Sequence, residues 1–485
     1  MPSISTGLPV PHPTRSYWQS VPSALDKHQS VQHLPASCDI LIIGGGYAGA
    51  ATAYHLLKSA ASRNTRPSVV LLEARGACSG ATGRNGGHLR PDLTSAPVLL
   101  SERYGPRAAA AVAQFEMDHL AAIAQFVAEE DVDCDLTEAT SFDVFTTPEQ
   151  AAAARERHDL LRKEPAFAGL LAAVGLYAGD DAPDRTGVRD AKAYFCSPAA
   201  HLSPYKLTMG LLSRALELGL CLKTHTPVLS ILEDADDASR ADEAAAAEDD
   251  EDVRVRPRCH RITTPQGAIT ATKIVVATNA YTAALLPEYA AAIVPCKGLA
   301  CHIAAASPSS PPLPRLPTSS LCIRVQQGPL SGYTYLVQRA DGSVVAGGAH
   351  HTYKQTDPAS WYGTVDDAGL IEPAWRYYCD GPPGFAARAL VGWVPRTRTC
   401  VDHVWTGIMG YSADSLPHVG AAPGRDGVFV LAGFHGHGMP VAYLAAKGVA
   451  EMVWEGKTYE ETGLPAVYKT SQERLMPRYD DILGA

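Results

Sequence analysis

The sequence predicts an α/β fold organised by a Rossmann-type βαβ unit, and three observations predict it. Asp39-Ile40-Leu41-Ile42-Ile43 is an apolar run of the kind buried on both faces of a parallel sheet, and it passes directly into Gly44-Gly45-Gly46-Tyr47-Ala48-Gly49, a G-x-G-x-x-G loop. Ala53, Leu56, Leu57 and Ala60 then recur at i, i+3, i+4 and i+7, an apolar stripe for the helix that the loop opens. A second buried strand, Ser68 to Leu72, ends in Glu73, close to the roughly twenty-residue spacing at which such units carry an acid. In this unit Gly44 makes the tight turn, Gly46 lets a pyrophosphate approach the backbone, and Gly49 lets helix and strand pack closely. The helix N-terminus adds unpaired N–H groups and a positive dipole end for that pyrophosphate. Glu73 is expected to accept hydrogen bonds from a ribose and to disfavour a 2′-phosphate.

Composition narrows the class. A chain of 485 residues has room for two or three domains with sizeable cores. No run of 18 apolar residues occurs, so no membrane span is expected. Met1 to Ser20 lacks a charged start followed by an apolar core, and the expected location is cytoplasmic. The eleven cysteines show no C-x-x-C pair and no histidine partners at zinc spacing, so they read as reduced thiols and no metal is expected. Net charge is −10, but Glu233 to Asp252 holds eleven acids and one arginine, which leaves the body neutral and without a field for nucleic acid.

In order, residues 1–37 read as an extended N-terminal arm on the surface, with prolines at 11, 13, 22 and 35. The nucleotide domain begins at 38 and its first segment runs to 131. It contains the small-residue loop Cys78 to His88, whose backbone must come close to something flat or charged, and then an alanine-rich helical stretch from Ala96 to Glu130. Residues 132–200 read as a first segment of a second domain, with strands at 132–147 and short helices at 148–180. Residues 201–290 return to the nucleotide domain through a helix at 203–218, strands at 220–232 and the apolar strand Ile274 to Ala277. The acidic tract 233–252 within this segment is expected to be a disordered hairpin insertion. Residues 291–404 supply strand-like runs for the second domain, including Tyr333 to Val337, on which Tyr333 and Tyr335 share a face, and Ser343 to Gly348. Residues 405–485 close the nucleotide domain with the strand Val428 to Ala432, the turn Gly433-Phe434-His435-Gly436-His437-Gly438-Met439 and a helix to about Trp454.

Four of these motifs together resemble the FAD-dependent oxidoreductases of the D-amino-acid-oxidase-like superfamily, the group that includes sarcosine and glycine oxidases and gamma-glutamylputrescine oxidase. They are the Gly44 to Gly49 loop with Glu73, the loop Ser79 to Gly87, Val275 to Ala280, and Trp405 to Pro417 leading to Gly433 to Met439. Pro13 to Trp18 is also similar to fungal members of the group. The resemblance implies a Rossmann-type FAD domain, a substrate domain on a large mixed sheet inserted in segments, and a flavin between them. It implies cofactor contacts from Gly44, Gly46, Tyr47, Ala48, Gly49, Glu73 and Ala74 in the first unit. From the loop it implies Ser79, Gly80, Thr82, Arg84, Asn85, Gly86, Gly87 and His88, and at the adenine end the backbone of Val228. From the later motifs it implies Thr278, Asn279, Gly407, Asp414, Gly433, His435, Gly436, His437, Gly438 and Met439.

Some relatives attach the flavin through a cysteine shortly before the Asp414 position or a histidine near the Arg84 position. Gly407 and Arg84 stand there in this chain, so non-covalent FAD is expected. Lys297 lies close in sequence to a lysine that some members keep beside the flavin for oxygen, and molecular oxygen is left open as the acceptor.

The implied reaction is oxidation of a C–N bond of a small amine or amino acid to an imine by hydride transfer to flavin, with His88, Lys297, Tyr335 and His435 as the candidate catalytic residues. A glutathione-reductase-like enzyme would need a second nucleotide loop and a redox cysteine pair, and the sequence has neither. Oxidation of a different bond in a specialised biosynthetic pathway, and a flavin-binding protein without turnover, are the alternatives that remain.

Overall fold

Ser37–Ile43 and Val69–Leu72 lie side by side in parallel, and Ile40, Leu41 and Ile42 are at most 2% exposed, as strands sandwiched between two layers must be. The computed structural model describes residues 7–233, 259–307, 309–310, 312–328, 330–379, 384–393 and 399–484. The sheet around these two strands has the order His418–Ala421, Val428–Ala432, Gly267–Val276, Ser37–Ile43, Val69–Leu72 and Cys221–Lys223. All neighbours in it are parallel except the first pair. Ser230–Glu233 and His260–Thr264 extend Gly267–Val276 as an antiparallel meander. Tyr47–Ser62 crosses one face of this sheet, and its Ala50, Ala51 and Ala53 are fully buried where small side chains permit close packing with the helices Pro204–Glu217 and Ala442–Ala450.

The second sheet has nine strands. Its order is Thr399–Ser412, Ile293–Ala305, Val344–Gly348, Leu330–Gln338, Ser320–Gln327, Thr137–Phe145, Ala193–His201 and His88–Leu89, with Gly175–Ala178 added beside Ala193–His201. Only the pair Ser320–Gln327 and Thr137–Phe145 is parallel, so the sheet is mixed. Two α/β layers joined by three returns of the chain match the expected class.

Two differences concern organisation. The boundary expected at 404/405 falls inside Thr399–Ser412, which pairs along the whole of Ile293–Ala305; the nucleotide sheet resumes only at His418–Ala421. The N-terminal arm runs over the surface for most of its length but plugs into the body at Ser16 and Trp18. Ser16 is fully buried, Trp18 is 6% exposed and donates its indole N–H to the Asn85 carbonyl at 2.7 Å, and Thr14 bonds Asp367 and Thr406. Burying an indole whose polar end is satisfied outweighs leaving it in water. The acidic tract beyond Glu233 lies outside the described residues, as does Arg396, which with Arg324 the sequence offers as a carboxylate binder.

A buried ion cluster ties the layers together. Asp367 is fully buried and takes a bidentate pair of bonds from Arg75 at 3.0 and 3.1 Å, with Arg84 Nε 3.7 Å away. Arg84 spends its remaining donors on the carbonyls of Ser79 and Thr406 at 2.7 Å and on Thr14. Burial pulls its pKa down to about 10 against the opposing pull of Asp367.

Candidate active site

The two sheets leave a pair of cavities between them that share Ala81, Asn85, Met409, Gly436 and Met439 as a common wall. The first runs over the glycine loop, and its three loop glycines answer to different demands. Gly44 has φ of +110°, and a Cβ there would meet the Ala277 carbonyl at 2.6 Å; a Cβ on Gly49 would sit 1.9 Å from the Gly44 carbonyl. Both are required by the fold itself. Gly46 is different: its φ is −84°, and a Cβ would meet only the Thr82 hydroxyl, at 3.1 Å. The polypeptide leaves that space open on the cavity side of a helix N-terminus, where Thr82 Oγ1 accepts from the Tyr47 N–H at 3.0 Å.

Other features of this cavity fit a dinucleotide. Glu73 is held by the N–H groups of Gly45 (2.7 Å) and Arg75 (2.8 Å), which fixes its carboxylate on the cavity wall with lone pairs to spare. Ser79 Oγ and Tyr281 OH line the cavity, are buried, and have no partner within the protein. Such orphans are expected where a polar ligand completes the site. Ala48, Ala74, Gly80, Val228 and Thr278 line it as expected. Leu8 and Pro9 of the arm also line it, and sequence reasoning did not place them there. At the other end Asn279, with φ of +48°, accepts from the N–H groups of Gly433 (3.0 Å) and Phe434 (3.2 Å), and so fixes the turn whose Gly436, Gly438 and Met439 close the wall.

The second cavity opens from the shared wall toward the nine-stranded sheet. Tyr333 and Tyr335 both line it, as their alternation predicts. A Cβ on Gly86 would meet the Tyr335 ring at 2.4 Å, so the loop glycine is what lets that ring lie against the loop. Burial raises both phenols, Tyr333 to about 12. His88 lines the cavity, but its Nε2 faces the Leu336 carbonyl at 3.1 Å and its Nδ1 faces Ser320 Oγ at 3.3 Å. Burial pushes its pKa down to about 3, so the ring is a neutral tether.

Six expected residues lie on neither wall. Gly49 and Gly87 serve packing, a Cβ on Gly87 meeting the Leu202 carbonyl at 2.5 Å, and Gly433 supplies the positive φ of +71° that starts the turn. Asp414 is engaged bidentately by Arg474 at 2.8 and 3.0 Å and anchors the C-terminal tail. Lys297 points toward Asp366, 3.7 Å away, and the Gly369 carbonyl. His435 stacks on Tyr411 with centroids 4.5 Å apart and bonds the Ser412 carbonyl through Nδ1 at 3.0 Å; burial lowers its pKa to about 4. Lys297 and His435 were candidates for chemistry, and their side chains are occupied elsewhere.

The chemistry-bearing groups that line the second cavity are Arg90, Asp92, Arg324 and His437; the sequence marks His437 as a cofactor contact and offers Arg324 as a carboxylate binder, and leaves Arg90 and Asp92 unmarked. Arg324 is bound bidentately to Asp143, both bonds 2.9 Å, and Arg90 Nη2 lies 3.4 Å from the same carboxylate. Burial opposes charge on Asp143, but Arg324 and Arg90 outweigh it and hold its carboxyl below the usual range. Arg90 Nε is buried without a partner. On the same cavity His437 Nε2 meets Glu116 Oε2 at 2.9 Å; burial disfavours its charge, yet Glu116 and Asp92 prevail and its pKa is raised. Asp92 is itself held by the N–H groups of Thr94 and Ser95 at 3.0 and 2.8 Å. The alternation His88-x-Arg90 was the available signal for Arg90. Asp143 and Glu116 are an acid in a buried strand and an acid in a helix, with no local signature.

A bridged pair of cavities, one shaped for a dinucleotide and one lined by charged and aromatic groups, defines a flavin-type oxidoreductase, and comparison with known proteins agrees. Residues 39–452 match the family model described as FAD dependent oxidoreductase, and the chain belongs to that family. It is therefore an FAD-dependent enzyme. It is 24% identical to gamma-glutamylputrescine oxidoreductase of Escherichia coli (strain K12) over 421 residues, which cover 86% of this chain and 84% of that protein. Among solved structures, glycine oxidase from Geobacillus kaustophilus superposes with a TM-score of 0.65 at 21% identity, over 90% of this chain and 99% of that one. L-amino acid deaminase from Proteus vulgaris, with its specific insertion sequence deleted, gives 0.62 at 15% identity, over 91% and 96%. Both share the fold. Among the described residues no helix is long and apolar enough to cross a membrane.

Proposed function

We propose that the enzyme oxidises the C–N bond of a small amine that also carries a carboxylate, an amino acid or a relative of one. The observation that carries this reading is the second cavity, which a guanidinium with an unsatisfied donor and a histidine paired with glutamate both line. Two guanidinium groups, Arg90 and Arg324, share the single carboxylate of Asp143, which leaves Arg90 free to take an anionic group of the substrate. The names of the relatives, which refer to an amine-bearing glutamyl compound and to amino acids, support the same class.

The Gly44–Gly49 loop, Glu73, Ser79 and the Gly433–Met439 turn would hold FAD in the first cavity, where it would supply a two-electron acceptor for the hydride of the carbon next to nitrogen. The protein's own residues prepare the amine. An ammonium has no lone pair to stabilise the developing cation, so the bound amine must be neutral; Tyr333, Tyr335, Leu299 and Met409 disfavour its charge by desolvation. Glu116 raises the proton affinity of His437, which makes this pair, rather than the tethered His88, the group that takes the amine's proton. Gly407 stands where some relatives have a thiol, and a Cβ there would meet the Arg84 Cβ at 3.0 Å, so the side chain of Arg84 fills the place of a covalent link and FAD is held without one.

The test is anaerobic mixing of the purified yellow protein with a panel of amines and amino acids while the flavin absorbance is followed. Bleaching by a carboxylate-bearing amine is expected. With that substrate Arg90→Gln raises KM about tenfold or more, the loss of one charge-assisted hydrogen bond, and it has little effect on an amine without a carboxylate. Bleaching only by compounds that lack an amine would sink the proposal.

A further inference from the structure

We propose that His302, Asp402 and His403 form a binding site for a divalent transition-metal ion, zinc by preference, on the edge of the nine-stranded sheet away from both cavities. Ile293–Ala305 and Thr399–Ser412 pair antiparallel, and His302 lies opposite His403. Immediately beyond this pair the register shifts, Ile303 facing Val401, so Asp402 is the extra residue of a β-bulge. In a regular strand Asp402 and His403 would point to opposite faces; a bulge re-aims side chains, and here it brings both to the side of His302. One ligating atom from each of the three lies within 4.8 Å of the other two, and among the described residues this is the only such group.

The donors are arranged as a ligand set. His302 Nδ1 lies 2.7 Å from Asp402 Oδ1 and His403 Nδ1 lies 3.3 Å from the same oxygen. His302 is 4% exposed, and His403 Nδ1 is buried without a hydrogen bond. Leaving imidazole nitrogens bare costs about 1–3 kcal/mol each, a cost that a bound metal removes for any nitrogen it ligates. Tyr17 of the N-terminal arm stacks on His302 with centroids 3.8 Å apart and planes 10° apart, and meets His403 edge-on at 5.8 Å, so the deepest ligand is held in place. The side chains of Asp402 and His403 are each about one-third exposed, which provides an entry path. Two imidazoles and one carboxylate suit zinc, copper or nickel and are too poor in oxygen for calcium or magnesium. Zinc bonds of roughly 2.0–2.2 Å require the three donors to draw closer than they now stand, a movement available to the two exposed side chains.

The test uses tag-free FAD-loaded protein stripped with a chelator, titrated with zinc chloride by calorimetry, with bound metal counted after dialysis. One zinc per chain is expected, with affinity at least about tenfold weaker in Asp402→Asn and in His403→Gln, both at exposed positions, and flavin content unchanged. Absence of stoichiometric zinc in the wild type overturns the proposal, and so does equal affinity in the wild type and both variants, which would assign the metal to the cysteines.

Discussion

Gly46 and Gly49 stand three residues apart in one loop, and alanine at each should fail in a different way. At Gly49 the new methyl would lie 1.9 Å from the Gly44 carbonyl and 3.4 Å from Ile42 Cγ2, so helix Tyr47–Ser62 would have to retreat from the sheet by more than an ångström. Overpacking of ordinary severity costs about 1–3 kcal/mol, and a contact this short with backbone on both sides lies at or beyond the upper end. At Gly46 the backbone is ordinary, and the methyl would touch only Thr82 Oγ1 at 3.1 Å, so the protein without cofactor should change by no more than about 0.5 kcal/mol. The same methyl projects into the space beside the helix N-terminus where a pyrophosphate must come close. A strain of about 1–3 kcal/mol felt only in the complex weakens FAD binding roughly 5- to 150-fold. Thermal melting of the apoproteins and titration with FAD, followed by quenching of its fluorescence, separate the two effects. Gly46→Ala with wild-type FAD affinity would refute the argument, and so would a Gly46→Ala apoprotein that melts as far below wild type as Gly49→Ala.

Asp367→Ala should cost about 3–5 kcal/mol, because it leaves Arg75 and Arg84 buried without their shared carboxylate; a melting temperature within a degree or so of wild type would show that the cluster is not a clamp. His119 is fully buried, donates Nδ1–H to the Phe115 carbonyl at 2.7 Å and accepts the Leu444 N–H at Nε2 at 3.1 Å, an arrangement only the neutral ring makes, and burial lowers its pKa to about 4. A depressed folded pKa gives stability that is complete above the unfolded value of about 6.5 and is lost as pH falls toward the folded one, by up to about 1.4 kcal/mol per pH unit. Melting of the wild type should therefore drop on acidification from neutral pH to about 4.5 more steeply than that of His119→Gln; equal slopes would reject the assignment. Acid precipitation of the holoprotein should leave the yellow colour in the supernatant, and a yellow pellet would mean a covalent flavin.

What the sequence revealed and what it concealed divide along local and non-local lines. The βαβ unit was legible because strand, glycine loop, helix and acid are consecutive within the 36 residues from Cys38 to Glu73, and the demand on Gly49 is met there too, by the Gly44 carbonyl and Ile42. Tyr333 and Tyr335 were legible for the same reason, since the two-residue period of a strand needs no partner to be read. The rest of the site is assembled from separate segments: Arg90, Asp143 and Arg324 from three strands or strand ends, and Glu116 and His437 from a helix and a turn over 300 residues apart in sequence. No spacing rule connects them, so attention fell on the nearest histidines and lysine, His88, His435 and Lys297, whose donors the fold spends on Leu336, Ser412 and Asp366.

The burial of Trp18 within the arm was illegible for a related reason. A proline-rich lead looks solvated until the surface that receives its tryptophan exists, and that surface is the underside of the flavin loop at Asn85. The bonds of Trp18 to Asn85 and of Thr14 to Arg84 and Thr406 make the arm a brace for the loop that carries Ser79 and Thr82. Its role is thus to hold cofactor-binding residues in register, and loss of the arm should show first as loss of flavin rather than as loss of fold.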